Sequence, residues 1–206
     1  MKHKSIDINQ RIPLNTLHVG LEGFIHGSYD EEYILEQLRL EFSGDNRLRK
    51  SIRIVNKIIP ENPLSDYLLE NRTKVENAIK LPNDRNVILI ALLNSAFVFS
   101  FDTLQLLGKF FSVQELVNRQ VIKKSLASIY GGNRATDNAI DSVIPMFIEA
   151  GLLLRPKLGV YQRNTDLNIS SSISGEAYMK SFEVHNHFER LNEFQLRDPY
   201  FQFLDN

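Results

Sequence analysis

Two stretches of this chain gather side chains suited to binding phosphate. From Arg47 to Lys57 there are five basic residues, Arg47, Arg49, Lys50, Arg53 and Lys57, and no acid. Leu48, Ile52, Val55 and Ile59 recur at helical spacing in the same segment, while Arg49, Arg53 and Lys57 fall at i, i+4 and i+8. Like charges four apart on a helix repel by roughly 0.2–0.5 kcal/mol per pair. Such a face calls for a counter-surface, either phosphates or acidic side chains. The second stretch runs from Gln120 to Arg163. It carries Lys123 and Lys124, then Arg134, Thr136 and Asn138 after a Gly-Gly-Asn turn, then Arg155 and Lys157. Short polar side chains and backbone N–H groups at the start of a helix meet phosphates or base edges. Arg134 has the donors for bidentate contact with guanine or phosphate, and Asn138 those for adenine.

The second stretch requires particular elements to position these groups. VNRQVIKKSLASIY places Val117, Val121, Ile122, Leu126 and Ile129 at helical spacing, leaving Arg119, Lys123 and Lys124 on more exposed faces. Gly131-Gly132-Asn133 stops that helix. A second helix around ATDNAIDSVIPMFIEAG turns Ile140, Val143, Ile144, Phe147 and Ile148 inward, with Thr136 or Asp137 available as its cap. LLLRPKLGVYQR then reads as two short strands around Pro156-Lys157-Leu158-Gly159. Helix, turn, helix and basic hairpin in that order predict a winged helix. Asp137 and Asp141 on its second helix oppose a close approach of phosphate.

The rest of the chain reads as helical. Pro13 suits the first turn of a helix with Leu14, Leu17, Leu21, Phe24 and Ile25, and a second follows near Asp30 to Phe42. Pro60 and Pro63 end the basic helix, and another runs from Ser65 or Asp66 to about Lys80. Val87 to Phe101 is an apolar run, too short for the roughly 20 residues of a membrane span, and reads as one buried helix. Asn164 to Ser174 is either a linker or an edge strand. A last helix, GEAYMKSFEVHNHFERL, leads to Tyr200, Phe201 and Phe203, which either dock on the body or bind a partner. The expected fold is mainly α, with a helical part over residues 1–104, a winged-helix-like unit over 105–163, and a C-terminal helix and tail over 164–206.

Composition narrows the function classes. Of 206 residues, 43% are hydrophobic, which is ample for a core, and the net charge is −1. The charge is uneven. Residues 105–163 hold eight Lys or Arg against four acids, and residues 164–206 hold three against seven. A local basic surface is therefore compatible with global neutrality. The chain has no cysteine, which excludes disulfides and thiolate metal sites and fits a cytoplasmic location; no signal peptide is visible at Met1 to Arg11. His185 and His187 are two apart, a spacing that sends helical side chains to different faces, so no metal or other cofactor is expected. There is no phosphate-loop, dinucleotide, serine-hydrolase or zinc-protease motif, and no nucleophile with a base beside it.

The basic RLRKSIRIVNKI helix, the apolar middle helix and the late IPMFIEAGLLLRPKLGVY segment together resemble the BrxA family of BREX phage-defence systems. The resemblance covers Arg47 to Tyr161. It implies a helical body partly like the antitermination protein NusB, a winged-helix-like part, and DNA binding without catalysis. Arg47, Arg49, Lys50, Arg53 and the segment Arg134 to Asn138 match the family's basic surfaces. The ending PYFQFLDN departs from the family pattern. The expectation is a non-enzymatic component that binds double-stranded DNA, mainly through phosphate, alongside other defence-system proteins and away from membranes. The alternative is a protein-interaction adaptor or a winged-helix regulator without strong DNA affinity of its own.

Overall fold

The computed structural model describes residues 3–188 and 190–204. Glu189, within the expected last helix, and Asp205-Asn206 of the PYFQFLDN ending lie outside the described residues. The architecture is mainly helical with one small antiparallel sheet. In order come α1 (Leu14–His26), α2 (Glu31–Glu41), α3 (Asp45–Ile58), α4 (Ser65–Glu70), α5 (Arg72–Ala78), α6 (Pro82–Ala96) and α7 (Val98–Phe111). Strand β1 (Leu116–Asn118) follows, then α8 (Arg119–Tyr130), α9 (Arg134–Glu149), β2 (Leu153–Lys157), β3 (Val160–Arg163) and α10 (Ser172–Asn186). The chain closes in two 3-10 turns, Gln195–Arg197 and Pro199–Phe203. The boundary expected between residues 104 and 105 falls inside α7.

The centre of the molecule is α6. Val87 through Leu93 are at most 1% exposed, so the helix is apolar on every side because every side is covered. The apolar run is two helices and not the single one expected. The chain breaks at Phe97, which is extended (φ −132°, ψ 112°), and α6 and α7 meet at a bend of 117°. No single helix among the described residues is long and apolar enough to cross a membrane. The cause of the break is distant in sequence. The Asp7 carboxylate accepts from Val98 N at 2.7 Å and Phe99 N at 3.2 Å, satisfying the first donors of α7 from 91 residues away. Similarly, the helix expected over residues 65–80 divides at Asn71 (φ −106°, ψ 24°), whose side chain donates to the Tyr67 carbonyl.

Asp84 anchors the chain where it enters α10. It is 1% exposed and accepts from Ser170 N, Ser171 N and Ser174 Oγ at 2.8–3.2 Å. The segment from Asn164 to Ser171 is irregular, neither strand nor free linker, because these bonds tie it to α6. The tail packs on the same core. Tyr200 is fully buried, its hydroxyl bonded to Asn94 Nδ2 at 2.9 Å and Ser181 Oγ at 2.6 Å, and its ring stacks on Tyr178 at 4.5 Å. Gly108 makes this docking possible, since a Cβ there would stand 2.0 Å from the Pro199 carbonyl oxygen.

Residues 3–13 form a strap between the helical body and the last third of the chain. Lys4 N donates to the Ile129 carbonyl at 3.0 Å, Gln10 bonds to Ser51 of α3, and Arg11 pairs with Glu149 at the end of α9 at 2.7 Å. Ile8 and Ile12 are buried at 2% and 0%, so apolar packing holds the strap in addition to these polar contacts.

Candidate nucleic-acid interface

The sheet is ordered β1-β3-β2, both pairings antiparallel, with Val117 opposite Tyr161 and Leu154 opposite Gln162. Strand β1 had no counterpart in the sequence reading, which placed Val117 in the following helix. Three residues are too few to show an alternating pattern. Val117 is buried under the sheet, and α8 begins two residues later than expected, capped by Asn118, whose side chain accepts from Gln120 N at 2.8 Å. With that register Val121 is 42% exposed and not part of the core stripe.

The Gly131-Gly132 turn leads to Asn133, which caps α9 by accepting from Ala135 N at 3.0 Å and Thr136 N at 3.2 Å. Gly131 has φ +89°, a conformation that favours glycine. Neither Thr136 nor Asp137 serves as the cap. Thr136 is also not available to a nucleic acid. Its side chain is 1% exposed and its hydroxyl donates to the Gly131 carbonyl at 2.5 Å, so it holds the turn and reads nothing. Arg134 and Asn138 are exposed on the first turns of α9, where sequence reasoning placed them.

The charges of this unit are largely internal. Lys123 Nζ lies 2.8 Å from Asp137 and Arg119 Nη2 lies 2.6 Å from Asp141, so two of the three cations of α8 are paired with acids of α9. The hydrogen bond that Arg119 donates to Asp141 raises the guanidinium pKa above its ordinary value. From the sequence, Lys123 is expected on a more exposed face, and Asp137 and Asp141 are expected to oppose a close approach of phosphate. A pairing across the turn was readable only once the two helices were placed side by side. Lys124 is exposed and unpaired among the described residues. On the hairpin Arg155 and Lys157 are exposed, and Arg155 lies near Tyr161, whose hydroxyl burial pushes up and Arg155 pulls back.

Helix α3 presents a different picture. Leu48, Ser51, Ile54, Val55 and Ile58 face the core, and Arg47, Arg49, Lys50, Arg53 and Lys57 are all exposed. None of the five has a carboxylate within ion-pair distance among the described residues. Two rest on aromatic rings, Arg47 over Phe42 at 4.3 Å and Lys57 over Phe97 at 4.6 Å, which orients them without neutralising them. At 100° per residue Lys50, Arg53 and Lys57 share one flank. The Lys57–Phe97 contact turns that flank toward the α6–α7 bend and the strap.

Three of the five histidines have local neighbours that explain their placement. His18 and His26 stand beside Glu22 and Glu76, and the His185 ring packs 4.7 Å from Phe101 and bonds to the Asn94 carbonyl. Among the described residues, no group of three or more His, Asp or Glu is placed to hold a metal ion. No protein family, curated protein or solved structure matches this chain.

Proposed function

We propose that this chain is a non-enzymatic DNA-binding protein that grips the phosphate backbone of double-stranded DNA, as a component of a BREX-like phage-defence system. The observation that carries the DNA reading is the α3 face: five exposed cations in eleven residues, with no acid between them and none paired to them among the described residues. Holding such a face unpaired costs repulsion within the helix, and a polyanion removes that cost while releasing its own counterions. Support from the other region comes from its element order. Helix α7, strand β1, helices α8 and α9 and the β2–β3 hairpin follow the order of a winged helix, with α9 in the place of the recognition helix. Arg134 and Asn138 then stand at the end of α9 that would approach base edges, and Lys157 on the wing, with Lys124 toward the backbone. The assignment to a defence system rests on the family resemblance of the sequence alone.

The test is a titration of the nuclease-treated protein against a fluorescent duplex of about 30 base pairs at low and at near-physiological salt. Binding that weakens steeply with salt, and that fails when Arg49 and Arg53 are reversed to Glu, supports the proposal. Absence of binding even at low salt overturns it in favour of the adaptor reading. That second reading draws on one observation, the acids of α9: Asp141 is 63% exposed on the face a groove-reading helix would present.

A further inference from the structure

We infer that the cleft between α9 and the β2–β3 hairpin is a binding site for an amphipathic organic monoanion, a carboxylate borne on an aliphatic or aromatic body. This goes beyond DNA binding and does not depend on it. The cleft encloses about 570 Å³, within the roughly 300–1,000 Å³ of small-molecule sites. Its floor is apolar, formed by Ile144, Pro145 and Ile148 from α9 and by Tyr161 from the sheet. Leu158 stands at its edge on the hairpin tip, 85% exposed, a large apolar side chain with nothing packed over it.

The charge on the walls selects the head group. Three guanidinium groups line the cleft, those of Arg11, Arg119 and Arg155. Two are held by carboxylates, Arg11 by Glu149 at 2.7 Å and Arg119 by Asp141 at 2.6 Å. Arg155 has no carboxylate partner among the described residues. One positive charge is therefore left over beside an apolar floor, which fits one anionic head and an apolar body. Arg155 offers a planar pair of donors that matches a carboxylate in two parallel hydrogen bonds. Pro145 contributes a further polar feature. It lacks an N–H, so the Asp141 carbonyl has no donor four residues on, in the segment of α9 that walls the cleft. A ligand hydroxyl or amide would satisfy it.

The same walls disfavour a nucleic-acid strand in the cleft. A single unpaired positive charge gives a chain of phosphates little to hold, and an apolar floor offers a phosphodiester nothing. A single anion seated on Arg155 meets the one guanidinium of the cleft without a carboxylate partner among the described residues, and its body lies against Ile144 and Ile148.

The experiment uses the full chain and the fluorescent probe anilinonaphthalene sulfonate, an aromatic monoanion. Saturable binding at one site is expected, with displacement by octanoate and none by octylammonium. Arg155→Glu should weaken the probe roughly tenfold or more. Leu158→Ser, at a side chain too exposed to affect folding, should weaken it several-fold and keeps the test valid if Arg155→Glu fails to fold. Three outcomes overturn the inference: no saturable binding, affinity within about twofold of the parent for Leu158→Ser, or equal displacement by octanoate and octylammonium. None of these measurements contains DNA, so their failure leaves the DNA proposal standing, and failure to bind DNA leaves the cleft standing.

Discussion

Helix α3 and the α8–α9 pair are both rich in basic residues, yet they use them in opposite ways. On α8, Arg119 and Lys123 reach across to Asp141 and Asp137, and the two helices are held together by charges that cancel. On α3, Arg49, Lys50 and Arg53 have no acid within ion-pair distance among the described residues, and Arg47 and Lys57 lie on rings. A count of basic residues does not separate these cases, and the geometry of their partners does. A paired cation contributes to the fold and presents little net field. An unpaired one contributes its field to whatever approaches. The order of helices and hairpin in the second region, which we propose to be a winged helix, draws attention to α9, but the proposed electrostatic footprint lies mainly on α3.

The largest expected effect breaks that contrast directly. Reversing Arg49 and Arg53 to Glu should lower affinity for any duplex by roughly ten- to a hundredfold and flatten the logarithmic salt dependence by about one unit per lost phosphate contact. Thermal stability should hold or rise slightly, since both side chains are exposed and the swap removes like-charge repulsion. Full affinity at low salt in the double variant would take α3 out of the interface.

Next in size is the converse change on α8. Lys123→Met strands Asp137, whose Oδ1 is buried without a hydrogen-bond partner, and should cost about 1–2 kcal/mol by chemical denaturation. Its effect on DNA should be smaller than that of the α3 reversal. Asp137→Asn sharpens the comparison further, because it releases Lys123 from its acid. A cation thus freed should strengthen DNA binding a few-fold and steepen the salt dependence by about one unit. Unchanged binding would mean that Lys123 points away from the nucleic acid.

Thr136 separates a structural role from a reading role at one residue. Thr136→Val removes the hydroxyl that bonds the Gly131 carbonyl in a buried site and should cost about 1 kcal/mol of stability. DNA affinity of the folded fraction should be unaffected, whereas Arg134→Ala, at an exposed position two residues earlier, should lower affinity with stability intact. The reverse pattern would restore Thr136 to the interface.

What the sequence made legible follows from range. The stripes of α1 and α9, the Gly131-Gly132 turn and the hairpin around Leu158-Gly159 are local patterns and stand where spacing placed them, whereas the stripe of α3 is rotated: Ser51, Ile54 and Ile58 join Leu48 and Val55 in the core, Ile52 is half-buried and Ile59 lies past the helix end. Features set by distant residues were not readable. Nothing near Phe97 announces that Asp7 will cap α7, and nothing near Ser171 announces Asp84. The exposed cations of α3 and the exposure of Arg134 and Asn138 follow from helical periodicity, but the pairing of Lys123 and the burial of Thr136 depend on how tightly α8 and α9 close on their turn. The strap and the cleft were invisible for the same reason. Both are assembled from segments more than a hundred residues apart, such as Arg11 with Glu149.

The smallest effect lies at the seam between the two regions. His18 of α1 lines a small cleft with Arg85 of α6 and Glu149 of α9. Its Nε2 is 3.2 Å from Glu22 Oε1 but is not aligned as a hydrogen bond, so the attraction is incomplete. Burial lowers the His18 pKa below the ordinary histidine value, Arg85 lowers it further, and Glu22 only partly restores it. The unfolded chain therefore binds this proton more readily than the folded one. Stability must rise with pH over that range and is lost as pH falls below about 6.5, the loss ending once pH is below the folded-state value. His18→Gln should remove this component, so that the difference in denaturation midpoint between parent and variant changes across the window and is flat above it. A difference that stays constant with pH would mean that His18 is no less easily protonated in the fold than out of it, and that the seam between α1, α6 and α9 is more open to water than its packing indicates.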